Sequence, residues 1–390
     1  MKNRSVLVSG ASIAGPTLAY WLSRYGFDVT VVERAPALRP GGQAVDFKGA
    51  VHRTVLERMG VYDEICRRST GATDMVLVDA HGNERARISG DFTGGDVEIL
   101  RGDLAAILYE AGAGHCAYRF GDSISTLRET EGGIEVEFEN GPAGNFDLVF
   151  GADGIHSRVR RLAFGPDEHF VRHRGYYYAI AGEPPHREQS DGPRRRESYA
   201  HNDAGRLAVG SGAKAQQMYL FAAPEMHFTD EAEKRRVLTE KFTGMGWQVP
   251  EMLAELPVLD DFYLDALARV RMPSYVAGRV ALVGDSAYGN TLAGFGTGLA
   301  VVGAYVLAGE LAASEGEHIV AFARYDRIMR RYAKVGLGSS PGPFLAPKTT
   351  YGLWLRDRFL GSRWFGLMEK FAGDAKDDLD LSGYPAWEAR

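Results

Sequence analysis

The run Ser5-Val6-Leu7-Val8-Ser9, followed at once by Gly10-Ala11-Ser12-Ile13-Ala14-Gly15, constrains the fold more than any other stretch. A short apolar run without alternation reads as a parallel strand covered on both faces. After the glycine turn, the spacing of Leu18, Trp21 and Leu22 predicts a helix from Pro16 to Tyr25, stopped by Gly26. Phe27 to Val32 reads as a second strand, ending at Glu33. The result is a βαβ unit of about thirty residues. In such a unit the first glycine permits the tight turn, and the last lets helix and strand pack closely. The middle position is where a pyrophosphate meets the backbone. Ser12 stands there, and its hydroxyl can donate to phosphate. The helix start, with free N–H groups and the positive end of the dipole, favours an anion. Glu33 lies 18 residues after Gly15, placed to accept ribose hydroxyls. Gly10, Ser12, Ile13, Ala14, Gly15 and Glu33 are therefore candidate dinucleotide-binding residues.

Composition narrows the class. A formal charge of −6 over 390 residues argues against a nucleic-acid partner, which needs a basic footprint. Two cysteines, Cys66 and Cys116, cannot frame a disulfide scaffold, and a reducing, cytoplasmic setting is expected. The sequence shows no uninterrupted run of about 18 apolar residues, so no membrane-spanning helix is expected, and no leader is recognised before the first strand.

Further along, Arg39 to Gly49 reads as a glycine-rich loop, and Val51 to Cys66 and Leu104 to Ala111 as helices. Met75 to Val78 and Ala86 to Ile88 suggest a hairpin, and residues 118 to 150 a series of strands. Residues 170 to 272, with Tyr176-Tyr177-Tyr178 and one helical stretch at 230 to 244, read as an inserted antiparallel sheet. A buried strand returns at Arg279 to Val283, then a glycine-rich turn, an apolar helix from Leu299 to Leu311, and further helix over 317 to 336. The tail holds Trp354, Leu355, Phe359, Trp364, Phe365, Leu367 and Phe371, the pattern of an amphipathic packing helix or one closing an entrance.

Two more clusters follow strands. Gly151-Ala152-Asp153-Gly154 leads into Ile155-His156-Ser157-Arg158-Val159-Arg160, and Gly284-Asp285-Ser286-Ala287 precedes Gly294-Phe295-Gly296-Thr297-Gly298. Each puts an Asp just past a buried strand, where α/β sheets bind ligands, although either Asp alone could be a cap or turn residue.

Taken in order with Glu33-Arg34 and Arg101-x-x-Leu104, this series resembles the class A FAD-dependent monooxygenases of the para-hydroxybenzoate-hydroxylase-like fold. Within that group it looks most like the tetracycline-destructase and polyketide-hydroxylase branch. Stretches such as Gly41-Gly42-Gln43-Ala44-Val45-Asp46 and Val97 to Leu104 carry that likeness. The resemblance implies an α/β chain: a discontinuous Rossmann-type FAD-binding domain (1–75, 98–169, 273–335), a substrate-binding sheet domain (76–97, 170–272) and a C-terminal helical segment (345–390). It implies that Arg34 lies against adenine, that Arg39 meets the nicotinamide cofactor, and that Asp46 and Arg101 contact FAD. Asp153 would sit near the pyrophosphate and Asp285 at the ribityl chain. Gly294, Gly296, Thr297 and Gly298 would turn their N–H groups to the flavin pyrimidine edge. The implied cofactors are FAD and NAD(P)H. The implied partners are O2 and an aromatic or polyketide-like small molecule, with the protein a monomer. Tyr176, Tyr178, Met218 and Phe221 are candidate substrate contacts. No catalytic acid or base is named, and no metal is expected.

The likeness is imperfect where Asn290-Thr291-Leu292 replaces a usual Pro and Phe295 a usual Gln. A non-oxygenating flavoprotein or a ligand-sequestering protein of the same fold therefore stays open. Gly210-Ser211-Gly212-Ala213-Lys214-Ala215 reads as a hairpin turn, since a strand follows it. Gly284-Asp285-Ser286-Ala287-Tyr288 lacks the last glycine of an esterase elbow. Arg194-Arg195-Arg196 reads as a solvated turn or an anion contact, and His169 and His173 as surface residues.

Overall fold

The computed structural model describes residues 2–39, 41–71, 73–90, 95–182, 196–210, 216–259, 261–337, 341–362, 365 and 379–384. In chain order it runs β1 (Ser5–Ser9), α1 (Ala14–Arg24), β2 (Asp28–Glu33), β3 (Ala44–Phe47), α2 (Ala50–Arg58), α3 (Tyr62–Arg67), β4 (Thr73–Val78), β5 (Glu84–Ile88), β6 (Val97–Leu100) and α4 (Arg101–Gly112). Next come β7 (Ala117–Phe120), β8 (Ile124–Thr130), β9 (Gly133–Phe138), β10 (Gly144–Phe146), β11 (Leu148–Gly151), α5 (Arg158–Phe164), β12 (Val171–Ala181), β13 (Arg196–Asp203), β14 (Arg206–Gly210) and β15 (Gln217–Ala222). The chain closes with α6 (Glu231–Phe242), α7 (Val249–Glu255), β16 (Phe262–Val270), β17 (Val276–Ala277), β18 (Val280–Leu282), α8 (Asp285–Tyr288), α9 (Gly296–Ala313), α10 (His318–Tyr332), α11 (Lys334–Leu337), α12 (Pro341–Leu345) and α13 (Thr350–Leu360).

The opening βαβ unit forms as its pattern demands. β1 lies in the middle of a six-stranded sheet, order β17-β18-β11-β1-β2-β7, parallel except at the β17 edge. Val6, Leu7 and Val8 are fully buried because α1 and α9 supply apolar cover. Gly10 has φ +106, and a Cβ on it would stand 2.5 Å from the carbonyl oxygen of Ala152. A Cβ on Gly15 would run into the carbonyl oxygen of Gly10 itself. The turn can therefore close only without side chains at these two positions.

Helix α9 is apolar all round, and a helix of that kind belongs in a core. By length and composition it could cross a membrane, contrary to the expectation from uninterrupted apolar runs. Yet 78% of it is buried inside the protein, as a core helix would be.

The second sheet has seven strands, order β16-β12-β15-β14-β13-β4-β5. It is antiparallel except at the β13–β4 join, which is parallel. One face carries Tyr177, Tyr219 and Phe221 under α6 and α7. The other carries Tyr176, Tyr178 and Leu220, with Met218 at its margin.

Three expectations need correction. The glycine-rich loop over 39–49 contains β3, because Ala44 to Phe47 find a partner in β6, more than fifty residues on. The helix read over Val51–Cys66 breaks at Gly60 into α2 and α3. The tail helix α13 leaves Trp354, Leu355 and Phe359 exposed and buries Arg356 beside Leu353 and Leu360. It is pinned by polar contacts: the Arg356 guanidinium donates to Asn202 Oδ1 (3.0 Å) and the Leu345 carbonyl (2.9 Å), and Arg85 pairs with Asp357 at 2.9 Å. Phe365 is buried, whereas Trp364, Leu367 and Phe371 lie outside the described residues.

Gly15→Ala should cost more than about 2 kcal/mol, because the obstructing atom is backbone and cannot swing away. Gly26→Ala, with φ +87 but open space around it, should cost only about 1 kcal/mol. Urea midpoints of the two variants test this; equal losses would refute the packing argument.

Candidate cofactor and substrate site

The first turn of α1 has no side-chain cap, and no acidic residue stands in it. Its N–H groups and dipole are free to face an anion. Ser12 lies just before this turn and accepts from the Arg101 guanidinium at 2.9 Å, which leaves its own hydroxyl hydrogen to donate elsewhere. Arg101 is exposed and begins α4. Glu33, at the end of β2, accepts from the Ala11 N–H at 2.8 Å and the Ala35 N–H at 2.9 Å. The carboxylate is thus fixed beside the turn with lone pairs to spare.

The two later clusters are drawn to the same place. The Cα of Asp153 lies against Gly10. Its carboxylate accepts from the Ser157 hydroxyl and from the Arg158 and Val159 N–H groups, so it caps α5. Burial raises its carboxyl pKa against those donors. Gly284 packs beside Ala14 of α1, and the Asp285 carboxylate stands close to Gly296 at the start of α9. Asp285 reaches solvent, yet protein crowds it so closely that burial raises its pKa while Arg101 opposes the rise. Both properties belong to a group at the bottom of an open cleft.

Arg160, fully buried, clamps the clusters together. It donates to the carbonyls of Ser286 (2.9 Å) and Ile155 (2.6 Å) and pairs with Asp167 at 2.6 Å. The Ser286 hydroxyl in turn donates to the Gly151 carbonyl.

Gly294 is exposed, Gly296 and Thr297 are half-buried, and Gly298 is packed tightly on the ring of His52 from α2. The preceding loop is stitched to β16: the Thr291 N–H and hydroxyl both meet the Ala268 carbonyl, and the Val270 N–H donates to Gly289. Leu292 takes φ +59, an uncommon left-handed conformation for a branched side chain. Asp46, on β3, is half-buried and accepts from the Gly95 N–H. Arg34 and Arg39 are exposed and take no part in the contacts just described.

Of the four expected substrate contacts, Tyr178 is best placed. It shares its sheet face with Tyr263 and Asp265, and its hydroxyl feels the charges of Asp265, Arg101 and Asp285. Met218 edges the same face. Tyr176 is on that face too, but its hydroxyl is spent on the Ala346 carbonyl at 3.0 Å. Phe221 lies on the other face. It is paired with Tyr177, one residue out of phase with Tyr178, and is fully buried under α6 against Phe242. Side chains alternate along a strand, so Phe221 points away from this face.

A network on this wall has no local signature in the sequence. His156 Nε2 lies 2.8 Å from Asp265 Oδ2, and the Tyr263 hydroxyl donates to that same oxygen at 2.7 Å. Asp265 Oδ2 thus joins the segment after β11 to the seven-stranded sheet. His156 stood inside a quoted motif, but nothing local marks a residue 109 positions away as its partner. His173 is half-buried, not on the surface; His169 is exposed. The strands flanking 211–215 pair as a hairpin, with that turn itself, Arg194 and Arg195 outside the described residues.

Comparison with known proteins agrees with this geometry. A family model described as FAD binding domain matches residues 3–321. A flavin-dependent monooxygenase from an unknown prokaryotic organism is 35% identical over 92% of this chain and 90% of its own length. A flavin-dependent monooxygenase of Legionella longbeachae serogroup 1 (strain NSW150) is likewise 35% identical, with the same coverage. The crystal structure of tetracycline destructase Tet(51) superposes with a TM-score of 0.78 at 32% identity, covering 96% of each chain.

The His156–Asp265 pair carries a stability signature. Its hydrogen bond to Asp265 raises the imidazole pKa. Burial pushes the Asp265 carboxyl up, but His156, Tyr263 and the Ala266 N–H outweigh it and hold it below its ordinary value. The imidazolium contribution is thus complete below the free histidine pKa and fades as pH rises through the raised value. The carboxylate contribution is present above the free Asp pKa and fades as pH falls through the lowered one. Wild type should exceed His156→Gln in unfolding free energy most clearly between those ranges, by less than about 1 kcal/mol because His156 is exposed. An advantage that grew from pH 6 to pH 8 would contradict the assignment.

Proposed function

Because this chain belongs to the FAD-binding-domain family of flavin-dependent monooxygenases, we propose that it uses NAD(P)H and O2 to hydroxylate, or otherwise oxidatively modify, a phenolic or enolic polycyclic molecule, tetracycline-like or polyketide-derived. The observation that carries the reading is the convergence of Gly10–Gly15, Glu33, Arg101, Asp153 and Gly284–Gly298 on one cleft, in a chain similar over nearly its full length to a tetracycline destructase.

The donor set fits an adenine dinucleotide. The uncapped start of α1, the free hydroxyl hydrogen of Ser12 and the Arg101 guanidinium suit the pyrophosphate, and Glu33 suits the adenosine ribose. Asp285 would accept from ribityl hydroxyls. The N–H groups of Gly296, Thr297 and Gly298 at the head of α9 would lie at the pyrimidine edge, where a helix N-terminus favours negative charge. Arg34 would lie against adenine, Arg39 would serve the nicotinamide cofactor and Asp46 would add an FAD contact. Asp153 would act through the turn it caps. FAD, when bound, supplies the electron transfer to O2 that side chains cannot.

The protein's own part is to position the substrate against the face carrying Tyr178 and Met218, to keep water out, and to hold charge on Arg101 near any oxyanion. In this reading the six-stranded sheet belongs to the cofactor domain and the seven-stranded sheet to the substrate domain. The molecule works as a cytoplasmic monomer, without membrane or nucleic acid. A second reading, a flavoprotein that reduces without oxygenating, is favoured by one feature alone, the loop at 289–295 tied down on β16.

Purified protein should carry visible flavin absorbance, oxidise NADPH faster when tetracycline or a polyketide phenol is added, and place label from isotopic O2 in the product. NADPH oxidation with no label incorporated would favour the second reading. Asp285→Ala should weaken FAD binding about tenfold or more, since a hydrogen bond to a charged group is worth about 1.5–3 kcal/mol. Flavin fluorescence titration measures it, and an unchanged Kd would remove Asp285 from the site.

A further inference from the structure

Helix α9 begins on a weak footing. Two of its first three residues, Gly296 and Gly298, are glycines, and its N-cap, Phe295, makes no side-chain cap. Glycine is a poor helix former because it gives up the most backbone freedom. The turn that carries these N–H groups therefore needs support from outside the helix. His52 stands where that support is required. A Cβ on Gly298 would overlap its ring, with Cε1, Nδ1 and Nε2 all too close. The imidazole thus occupies the space that a side chain at 298 would fill. It is 3% exposed and meets Phe47 of β3 edge-on, the centroids 6.4 Å apart and the planes at 75°.

The ring is also set from its own helix. His52 is the third residue of α2, whose N-cap Gly49 has no side chain to offer. Lys48, just before the cap, donates its N–H to His52 Nδ1 at 3.3 Å. A ring nitrogen that accepts carries no hydrogen, so the hydrogen is on Nε2 and the imidazole is neutral. Neutrality suits the place, because the positive ends of α2 and α9 meet there. An apolar side chain would fill the same space but leave the Lys48 N–H without this acceptor.

We propose that His52 is a positioning residue for the flavin: seated in the space that Gly298 leaves vacant, it fixes the first turn of α9 so that the N–H groups of Gly296, Thr297 and Gly298 stay aligned toward negative charge on the reduced ring. This rests on the placement of FAD proposed above. His52 acts through the backbone of α9, and its effect is selective. Oxidised flavin is neutral at the pyrimidine edge and draws little on the turn. The reduced form carries charge there and draws on every aligned N–H. A slack turn therefore weakens the hold on the reduced form more than on the oxidised one, and the midpoint potential falls.

The test uses FAD-loaded protein. Binding of oxidised FAD is followed by fluorescence, and the midpoint potential by equilibration with a reference dye. His52→Ala should keep the Kd for oxidised FAD within about threefold and lower the ratio of reduced to oxidised affinity about tenfold, which for two electrons is about 30 mV. Gly298→Ala, whose methyl pushes against the imidazole, should shift the potential in the same direction. The double variant should lie closer to wild type than either single one, because the methyl then fills the space the ring has left. Should His52→Ala fail to fold, His52→Asn keeps an acceptor for the Lys48 N–H and should show a smaller fall of the same sign. A residue that only stabilised the fold would weaken both flavin forms alike and leave the potential where it was. Unchanged potentials in the single variants, or additive losses in the double one, would overturn the assignment while flavin binding by wild type stands. A wild type that takes up no FAD would overturn the cofactor placement, and the role of His52 with it.

Discussion

The molecule is organised around a place where side chains cannot be. The end of β1 approaches the end of β11 so closely that Gly10 has no room for a Cβ beside Ala152, and Gly15 has none beside Gly10. This contact fixes α1 at a set height above the sheet, and so fixes where its uncapped N–H groups point. It brings Asp153 against the turn, and Gly284 against Ala14 completes the ring of approaches. Three segments far apart in sequence thereby share one cleft. The chemistry depends on this backbone geometry before any polar side chain is considered.

Arg160 holds that arrangement from beneath. Burying a guanidinium costs several kcal/mol unless its donors are matched. Here two carbonyls and Asp167 match them, and one of the carbonyls belongs to Ser286 in the third segment. The large desolvation cost is turned into specificity. Only when the loops after β11 and β18 are both in place is the charge satisfied. The polar node at Asp265 Oδ2 plays a lesser part, because its histidine is open to water and the pair is screened.

The βαβ opening, the strand-end clusters and the apolar α9 were legible because each is written in consecutive residues. What was not legible depended on partners distant in sequence. β3 looked like a loop until β6 came to pair with it. Phe221 looked equivalent to Met218, but in a run of apolar residues nothing local says which parity faces the cleft. The partner strand decides, and it set Phe221 against Tyr177. His156 carried no local mark of its bond to Asp265. Trp354, Leu355 and Phe359 suggested a buried stripe, yet the docking of α13 was set by Arg356 meeting Asn202, a contact that periodicity does not encode.

The interleaving of the two large sheets has a consequence for how this chain comes into being. β1 sits between β2, its near neighbour, and β11, and β11 waits in turn for β18. The hairpin β4–β5 likewise joins its sheet through β13, well over a hundred residues later. On the ribosome, then, neither sheet can be finished until most of the polypeptide has emerged, and the apolar edge of β11 stays open through that interval. A nascent chain of this kind passes much of its synthesis with sticky edges showing, and its yield in a cell will be governed by chaperone supply and translation speed as much as by the stability of the finished enzyme.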